Sequence, residues 1–226
     1  MATGSAVVRL SAAGTIVWRT ELGAPARLLA SSGALFAATT AGDVVRLSED
    51  GRILWRTVLG HPIASTPALG AGGRDLLIGD ADGTLSALDP TTGAVRWQRK
   101  LVERVVSPTL TDSSPLISAP PLVTADGAIF LGGRDGVVTA LGPDGSVRWR
   151  YTTPSDISAP PVLSPAGLIG VGLYDERIIA LDAAGQPRYE ARVSGAVRSA
   201  PVFGRDGRLY VATLGGRLYA FAPITR

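Results

Sequence analysis

Short apolar segments separated by polar turns run along the whole chain. Within these segments the apolar positions recur every second residue. In residues 51–59, for example, Trp55 and Thr57 fall on one side, and Arg56 and Val58 fall on the other. No window of helical length repeats an apolar face at three-four spacing. Because alternation over short segments is typical of half-buried strands, the pattern predicts an all-β chain.

A glycine followed four residues later by an aromatic side chain occurs five times, and the aromatic residues are 37, 42, 52 and 40 residues apart. Each copy follows a strand-like segment that ends in leucine, and a proline-marked segment and an apolar segment precede that one. The pairs are Gly14–Trp18, Gly51–Trp55, Gly93–Trp97, Gly145–Trp149 and Gly185–Tyr189. Four strands in a period of about 40 residues predict the four-stranded antiparallel blades of a β-propeller.

The repeat predicts one domain, residues 1–226, with about five blades. Its approximate units are 1–22 (partial), 23–59, 60–101, 102–153, 154–193 and 194–226 (partial). Two copies of the third strand, residues 6–11 and 216–221, would compete for one place in a closed five-bladed ring. We expect the second copy to hold that place because a tight turn joins it to its own blade. The alternative is an open ring, or part of a larger propeller.

The repeated aromatic residues are predicted to be buried between blades, where they would stabilise the packing, and Trp55, Trp97 and Trp149 are expected to line no ligand site. The five aromatic residues are Trp18, Trp55, Trp97, Trp149 and Tyr189. Alanine stands one position before the leucine at residues 87, 140 and 180, and one position before Phe221 at residue 220, where a small side chain lets a neighbouring ring approach. Arg9 and Arg46 replace that alanine in the first two copies, so the beginning of the chain is less regular.

Residues 87–97, Ala-Leu-Asp-Pro-Thr-Thr-Gly-Ala-Val-Arg-Trp, resemble the tryptophan-docking motif of the pyrroloquinoline quinone (PQQ)-type propeller repeats. Residues 180–189 resemble it too, with Tyr189 in place of tryptophan. The resemblance extends over essentially the whole chain. That family includes quinoprotein alcohol dehydrogenases and a non-enzymatic propeller lipoprotein of the outer-membrane β-barrel assembly machinery. The resemblance suggests a periplasmic or cell-envelope setting, although residues 1–10 do not read as a secretion signal and the location stays open.

The quinoprotein dehydrogenases of that family need a vicinal cysteine pair, a calcium site with an asparagine, and an aspartate base. This chain has no cysteine and no asparagine, so no position can take over those roles. We therefore expect no enzymatic activity, no cofactor and no metal. Asp80 and Asp82 stand one residue apart, as in the start of a calcium loop, but a hairpin turn is the favoured interpretation.

The predicted function is a scaffold that binds a protein or another macromolecule through one face of the propeller. Most candidate residues lie in the turns between second and third strands. His61 lies in a linker, and the remaining candidates lie in the insertion of residues 102–116. The candidate residues are His61, Asp80, Asp82, Arg104, Asp112, Arg134, Asp135, Asp175, Glu176 and Arg177. Two alternatives stay open: a carbohydrate-active hydrolase or lyase that uses the central channel, and a fragment without an independent function.

Charge is unevenly distributed along the chain, whose formal net charge is +3. The five predicted fourth strands carry ten basic side chains and two acidic ones. Cations on outer strands prevent sheet-to-sheet pairing, and a weak attraction for polyanions is the functional alternative. Open edge strands would also permit self-association. No apolar run approaches the length of a membrane span, so no transmembrane segment is expected.

Overall fold

The structure is a computed structural model that describes residues 2–31, 33–102 and 117–222. In this part of the chain, β-strands form six antiparallel sheets, and the one helical element is a 3-10 turn at Ala71–Gly73. No helix in these ranges is long and apolar enough to cross a membrane. The alternation of apolar and polar positions therefore produces the all-β structure that it predicts.

The six sheets follow one another along the chain, and each is built from consecutive strands. Sheet 1 contains β1 (Ala2–Thr3), β2 (Ala6–Leu10) and β3 (Ile16–Glu21); sheet 2 contains β4 (Ala26–Ser31), β5 (Ala34–Thr39), β6 (Asp43–Leu47) and β7 (Ile53–Val58); sheet 3 contains β8 (Ala68–Leu69), β9 (Leu76–Gly79), β10 (Thr84–Leu88) and β11 (Val95–Lys100). Sheet 4 contains β12 (Leu122–Val123), β13 (Ile129–Gly132), β14 (Val137–Leu141) and β15 (Val147–Thr152); sheet 5 contains β16 (Val162–Leu163), β17 (Ile169–Gly172), β18 (Arg177–Leu181) and β19 (Pro187–Arg192); sheet 6 contains β20 (Val202–Phe203), β21 (Leu209–Ala212) and β22 (Leu218–Phe221).

Each four-stranded sheet is a meander, and the same two turns recur in it. The upper turn joins the second and third strands, and the lower turn joins the third and fourth strands. A register shift interrupts the pairing of third and fourth strands at the same point in sheets 1 to 5, just before the final leucine of the third strand. Sheet 1 corresponds to strands two to four of this plan, and sheet 6 to strands one to three.

The two third-strand copies at the ends of the chain do not compete for one place. β2 pairs with β3 in sheet 1, whereas β22 pairs with β21 in sheet 6. The expectation that residues 216–221, and not residues 6–11, take the place beside the fourth strand of residues 14–22 is therefore wrong. The prediction failed because of the strand β1, which pairs with β2 and gives it a partner in its own sheet. This strand is two residues long and shows no alternation.

The described residues form two compact units. Sheets 1 to 3 with residues 117–120 form unit 1, and sheets 4 to 6 with residues 101–102 form unit 2. In each unit, apolar side chains of one sheet pack on those of the next and lose their contact with water, which is the main favourable term in folding. Fully buried members of these clusters are Val7, Ala37 and Val45 between sheets 1 and 2, Val44, Ile63 and Leu76 between sheets 2 and 3, and Val171, Ile178 and Val197 in unit 2.

Asp-Gly pairs form hairpin turns, as the sequence predicts. Gly83 and Gly136 end the upper turns of sheets 3 and 4 with positive φ angles of 79° and 75°. Only glycine adopts this left-handed region without a steric penalty, so the glycine allows the chain to reverse within a few residues. The upper turns therefore have a common backbone shape, and they differ in the side chains that they present.

Candidate functional site

The upper turns are held by the linker that follows the fourth strand of the same sheet. In sheet 5, the amide of Val193 donates to the carbonyl of Glu176 (2.8 Å), and the amide of Val197 donates to the carbonyl of Leu173 (3.1 Å). The corresponding pairs are Leu59 with Gly42 and Ile63 with Thr39 in sheet 2, and Thr153 with Gly136 and Ile157 with Gly133 in sheet 4. These bonds satisfy the turn backbone and place its side chains on a rigid frame.

An aliphatic side chain of each linker fills the space beneath the upper turn. Val197 is fully buried, and a Cβ atom added at Gly172 would overlap its Cγ1 atom. The pairs Gly79 with Ile117 and Gly132 with Ile157 repeat this contact. This contact between linker and glycine was not predicted from the sequence, although the glycine that ends the second strand in sheets 3, 4 and 5 was a visible signal.

In unit 1, the upper turn of sheet 3 brings together three predicted site residues, His61, Asp80 and Asp82. Asp80 is buried, and its Oδ1 atom accepts hydrogen bonds from the amides of Asp82 and Thr84, both at 2.9 Å. Burial raises the pKa of Asp80 above its usual value. His61 is exposed and lies close enough to interact electrostatically with both carboxylates. The turn interpretation of Asp80 and Asp82 is thus confirmed.

The second carboxylate of this turn is paired with a cation of its own sheet. Asp82 Oδ2 lies 2.6 Å from Lys100 Nζ, and the hydrogen bond from Lys100 lowers the pKa of Asp82. Asp80 holds backbone amides and Asp82 holds an ammonium group, so their oxygens do not converge on a cation. No cluster of three or more metal-ligating side chains exists in the part of the chain that the structure describes. These residues do not fit PQQ and its calcium ion.

In unit 2, the upper turn of sheet 4 contains Arg134 and Asp135. Both residues are half-buried, and Asp135 Oδ1 accepts the amide of Val137 at 3.1 Å. This bond from an aspartate to an amide two residues later is a common turn-forming contact. Asp135 therefore shapes the turn, and Arg134 occupies the second position in it.

The upper turn of sheet 5 contains the other three predicted residues. The Arg177 guanidinium joins Asp175 Oδ2 (3.1 Å) to Glu190 Oε1 (3.0 Å) across the outer strand. Glu176 has a φ angle of 69°, in the region that favours glycine, and its Oε1 atom accepts the amide of Gly195 at 3.0 Å. The Oδ1 atom of Asp175 is buried without a hydrogen-bond partner among the described residues. This turn is therefore both more highly charged and more strained than its counterparts.

Two exposed apolar residues of the upper turns escaped the sequence analysis. Tyr174 and Leu214 stand at the second position of the turns of sheets 5 and 6, with exposed fractions of 46% and 63%. Their backbone amides donate to the carbonyls of Asp156 and Ala196. The predicted residues Arg104 and Asp112, and nearly all of the insertion of residues 102–116, lie outside the described residues.

The repeated aromatic residues contact the lower turn of the next sheet in three described cases. Trp18 Nε1 donates to the carbonyl of Glu49 (2.7 Å), Trp55 Nε1 to that of Pro90 (3.2 Å), and Trp149 Nε1 to that of Ala183 (2.9 Å). Each indole lies against the glycine of that turn, where a Cβ atom on Gly51, Gly93 or Gly185 would approach the ring to 2.6–2.7 Å. Such a glycine therefore cannot be replaced without displacing the ring.

All five aromatic residues are half-buried, so they are more exposed than the sequence predicts. They lie on the outermost strand, and the indole N–H reaches the edge of the next turn and not the centre of the core. Tyr189 instead packs edge-on against Phe221, with ring centroids 6.3 Å apart. Alanine lies directly opposite Trp97, Trp149 and Tyr189 in the strand register, as expected for a residue that leaves room for a ring.

Many of the basic side chains on the fourth strands are paired with acidic groups. At least six of the ten form ion pairs within the described residues. These are Arg19 with Glu21, Arg52 with Asp50, Arg56 with Asp43, Arg96 with Asp75 and Asp89, Lys100 with Asp82, and Arg188 with Asp182. A paired cation contributes little field at a distance, so less charge is available to attract a polyanion than the count of basic residues suggests.

Two adjoining cavities open at the lower end of unit 1. The first, about 590 Å³, lies between sheets 1 and 2 and is lined by Leu10, Trp18, Leu47 and Glu49 among others. The second, about 480 Å³, lies between sheets 2 and 3 and is lined by Phe36, Arg46, Leu69 and Pro90 among others. Ser31 and Ala34 line both cavities, which are therefore direct neighbours and are together called here the lower groove.

Comparison with solved structures supports a propeller fold. The chain is similar to the crystal structure of BamB from Moraxella catarrhalis, with 22% identity, a TM-score of 0.60, and coverage of 97% of this chain and 80% of that one. The WD40 β-propeller domain of Doa1 gives 12% identity, a TM-score of 0.71 and coverage of 99% and 74%. The crystal structure of the computationally designed Ika8 protein gives 18% identity, a TM-score of 0.72, and coverage of 97% of this chain and 69% of that one. The six sheets are thus blades of a β-propeller.

Comparison at the level of sequence families gives a match over the whole described chain. No curated protein sequence matches this chain significantly. The family described as outer membrane protein assembly factor BamB, a family of PQQ-like repeats, matches residues 3–156, 81–184 and 134–225. These overlapping matches include all six sheets and confirm the resemblance to PQQ-type propeller repeats. The chain belongs to the outer membrane protein assembly factor BamB family of β-propellers.

Proposed function

We propose that the chain is a non-enzymatic scaffold that binds a protein partner through the upper turns of unit 2. The family to which it belongs is described as an outer membrane protein assembly factor, and a factor that assembles proteins has to contact them. The upper turns are suited to this role because the linkers hold their backbone rigidly, and little conformational entropy is lost when a partner docks on them.

One comparison between turns carries this proposal. At the second position of the upper turn, sheets 2 and 3 have Thr40 and Ala81, whereas sheets 4, 5 and 6 have larger side chains. The larger side chains are Arg134, Tyr174 and Leu214. Arginine and tyrosine are enriched at the energetic centres of protein interfaces. The exposure of Tyr174 and Leu214 makes their apolar surface available to a partner.

The charged groups of sheet 5 frame these residues. Arg177 is neutralised by Asp175 and Glu190, so this network presents hydrogen-bonding groups without a large net field. A polar rim around a few apolar anchors is the usual anatomy of a specific interface. The remaining predicted residues of unit 1, His61, Asp80 and Asp82, stay predictions for a binding role.

A site-specific crosslinking experiment tests the proposal. A photo-reactive amino acid at Tyr174 or Leu214 should crosslink, in cells, to a component that assembles outer-membrane proteins, identified by mass spectrometry. The same amino acid at Leu54 or Val58, which are exposed on the outer strand of sheet 2, provides the matched control. Those positions should yield no such crosslink.

The purified partner then gives the quantitative measurement. Tyr174→Ala and Leu214→Ala should each weaken its binding by about ten-fold or more, as is usual for interface anchors. Val58→Ala should leave the affinity unchanged. Crosslinks that form equally well from Leu54 and Val58, or alanine variants that bind the partner as tightly as the unmodified protein, would contradict the proposed surface.

A further inference from the structure

The lower groove of unit 1 departs from the repeat at one position. The residue before the last residue of the third strand is alanine at 87, 140, 180 and 220, but it is Arg9 in sheet 1 and Arg46 in sheet 2. Arg9 lines the first cavity and Arg46 lines the second. The two arginines therefore stand at equivalent places of adjacent sheets, and each reaches one half of the groove.

The two guanidinium groups are held by carbonyl oxygens. Arg9 Nη1 donates to the carbonyl of Glu49 at 2.8 Å, and Arg46 Nη1 lies 3.3 Å and 3.5 Å from the carbonyls of Pro90 and Thr91. Neither arginine forms an ion pair within the described residues. Both side chains are cationic, as arginine is in proteins.

One atom of Arg46 is left without a partner. Its Nε atom is buried and has no hydrogen-bond partner among the described residues, while the guanidinium carbon lies 6.0 Å from the centre of the Phe36 ring. A buried, unsatisfied donor on a charged group is energetically costly. Arg46 lines the second cavity, so a carboxylate bound there would form a charge-assisted hydrogen bond with the guanidinium group.

The first cavity has a different chemistry. Its walls include Val8, Leu10, Leu35, Leu47 and the ring of Trp18, so it suits an aliphatic side chain. The only carboxylate among its lining residues is that of Glu49, at the rim. An occupant that fits both halves therefore joins an apolar group to an anionic group over a short distance.

We propose that the lower groove binds an extended peptide segment of a protein partner, with an aliphatic side chain in the first cavity and the carboxylate of a nearby acidic residue at Arg46. This site lies in unit 1 and is separate from the upper turns of unit 2. It goes beyond the proposed function and does not depend on it. Each cavity has a volume within the range of sites that take small ligands or single side chains.

A random hexapeptide array probed with the purified full chain tests the proposal. Peptides in which an acidic residue stands next to an aliphatic one should be enriched. For the enriched peptides, fluorescence anisotropy should give an affinity that falls by about ten-fold or more when the acid is changed to its amide, or when Arg46 is changed to alanine, since a hydrogen-bonded charge pair is lost. Arg46→Lys, which keeps the charge but lacks the fork, should bind with intermediate affinity.

The controls separate binding from folding. Arg9→Ala and Arg46→Ala restore the residue that other sheets carry at this position, so both variants should fold, which a thermal melt verifies. Arg99→Ala removes the same charge from an outer strand of unit 1 and should leave the affinity unchanged. Enrichment of peptides without acidic residues, equal binding by Arg46→Ala, or no enrichment at all would overturn the proposal. Competition by free glutamate as effective as by the peptide would overturn it as well, because the site would then take a small carboxylate.

Discussion

Sheets 2 and 5 share one strand plan but place their unusual side chains at opposite ends. Sheet 2 has Thr40 in its upper turn and Arg46 near its lower turn, whereas sheet 5 has Tyr174 at the same place in its upper turn and Ala180 near its lower turn. In both sheets the linker bonds to the upper turn are the same. The framework is thus constant, and function can vary at either end without disturbing it.

The comparison also shows what each substitution does to the framework. In sheet 2, Arg46 and Trp55 both approach the carbonyl of Pro90 in the next lower turn. In sheet 4, alanine (Ala140) stands at the position of Arg46. Among the described residues, Trp149 alone bonds the corresponding carbonyl, which is that of Ala183. An arginine at this position therefore supplements the aromatic contact, while an alanine makes the contact depend on the aromatic residue.

The largest effect is expected when these aromatic residues are truncated. Trp149→Ala should lower the free energy of unfolding by about 3 kcal/mol, since it removes a large, half-buried ring and leaves a cavity. Trp55→Ala should lower it by about 2 kcal/mol, because Arg46 still holds the lower turn of sheet 3. Urea-induced unfolding followed by circular dichroism measures both values.

The double variant Arg46→Ala, Trp55→Ala sharpens this test. It gives sheet 2 the same pair of residues as sheet 4 carries in Trp149→Ala, and its loss should approach the loss of that variant. Equal losses for the two single tryptophan variants would show that Arg46 contributes nothing to the contact between sheets 2 and 3.

A smaller effect is expected at Glu176. Sheets 2, 3 and 4 have Gly42, Gly83 and Gly136 at this position, all with positive φ. Glu176→Gly should raise the free energy of unfolding by up to about 1 kcal/mol, because a left-handed conformation costs about 1–2 kcal/mol in a residue with a Cβ atom and the side-chain bond to Gly195 recovers part of it.

Glu176→Ala is the matched control for this prediction. It keeps the strained backbone but loses the hydrogen bond that Glu176 accepts from the amide of Gly195, so it should be less stable than the unmodified protein. If Glu176→Gly is also less stable than the unmodified protein, the hydrogen bond from Gly195 stabilises sheet 5 by more than the strained backbone of Glu176 destabilises it.

The outer strands of the fold were predictable from the sequence because their signal is local. Residues 93–101 were expected to form a fourth strand, and β11 forms at Val95–Lys100, since a glycine turn and an aromatic residue mark it. The strand β1 was missed because two residues carry no periodicity. The bonds between linkers and upper turns were missed because they join residues far apart in sequence.

The candidate site was less predictable than the fold. Charged turn residues such as Asp82 and Arg177 were easy to select, but the structure pairs them with Lys100 and Glu190, so much of their charge is used within the turns. The exposure of Tyr174 and the unsatisfied Nε of Arg46 depend on how neighbouring sheets pack, which a single sequence does not show.

Within sheet 3, the two ends also differ in electrostatics, and Asp80 tests the upper end. Burial raises its pKa, so its ionisation destabilises the folded state at neutral pH. Asp80→Asn keeps an oxygen that accepts the amides of Asp82 and Thr84 and has no charge to bury. The variant should therefore be slightly more stable than the unmodified protein at pH 7, and the difference should shrink as the pH falls through the raised pKa of the folded state and vanish below the unfolded pKa of about 4. A variant that is less stable at pH 7 would mean that the attraction of nearby cations outweighs burial.

Asp89 tests the lower end, where the pKa moves in the opposite direction and the effect on stability is the smallest because the carboxylate is exposed. The hydrogen bond from Arg96 Nη2, 2.5 Å long, and the amides of Thr92 and Thr91 lower its pKa to about 2. A lowered pKa adds stability above the unfolded value of about 4, and this stability is lost as the pH falls toward about 2. Arg96→Ala should raise the pKa of Asp89 in an NMR titration and reduce the loss of stability across that window, whereas Arg99→Ala on the same strand should change neither. If Asp89 still titrates near pH 2 in Arg96→Ala, the backbone amides hold its charge without the guanidinium, and the lower turn of sheet 3 is preorganised by its own backbone.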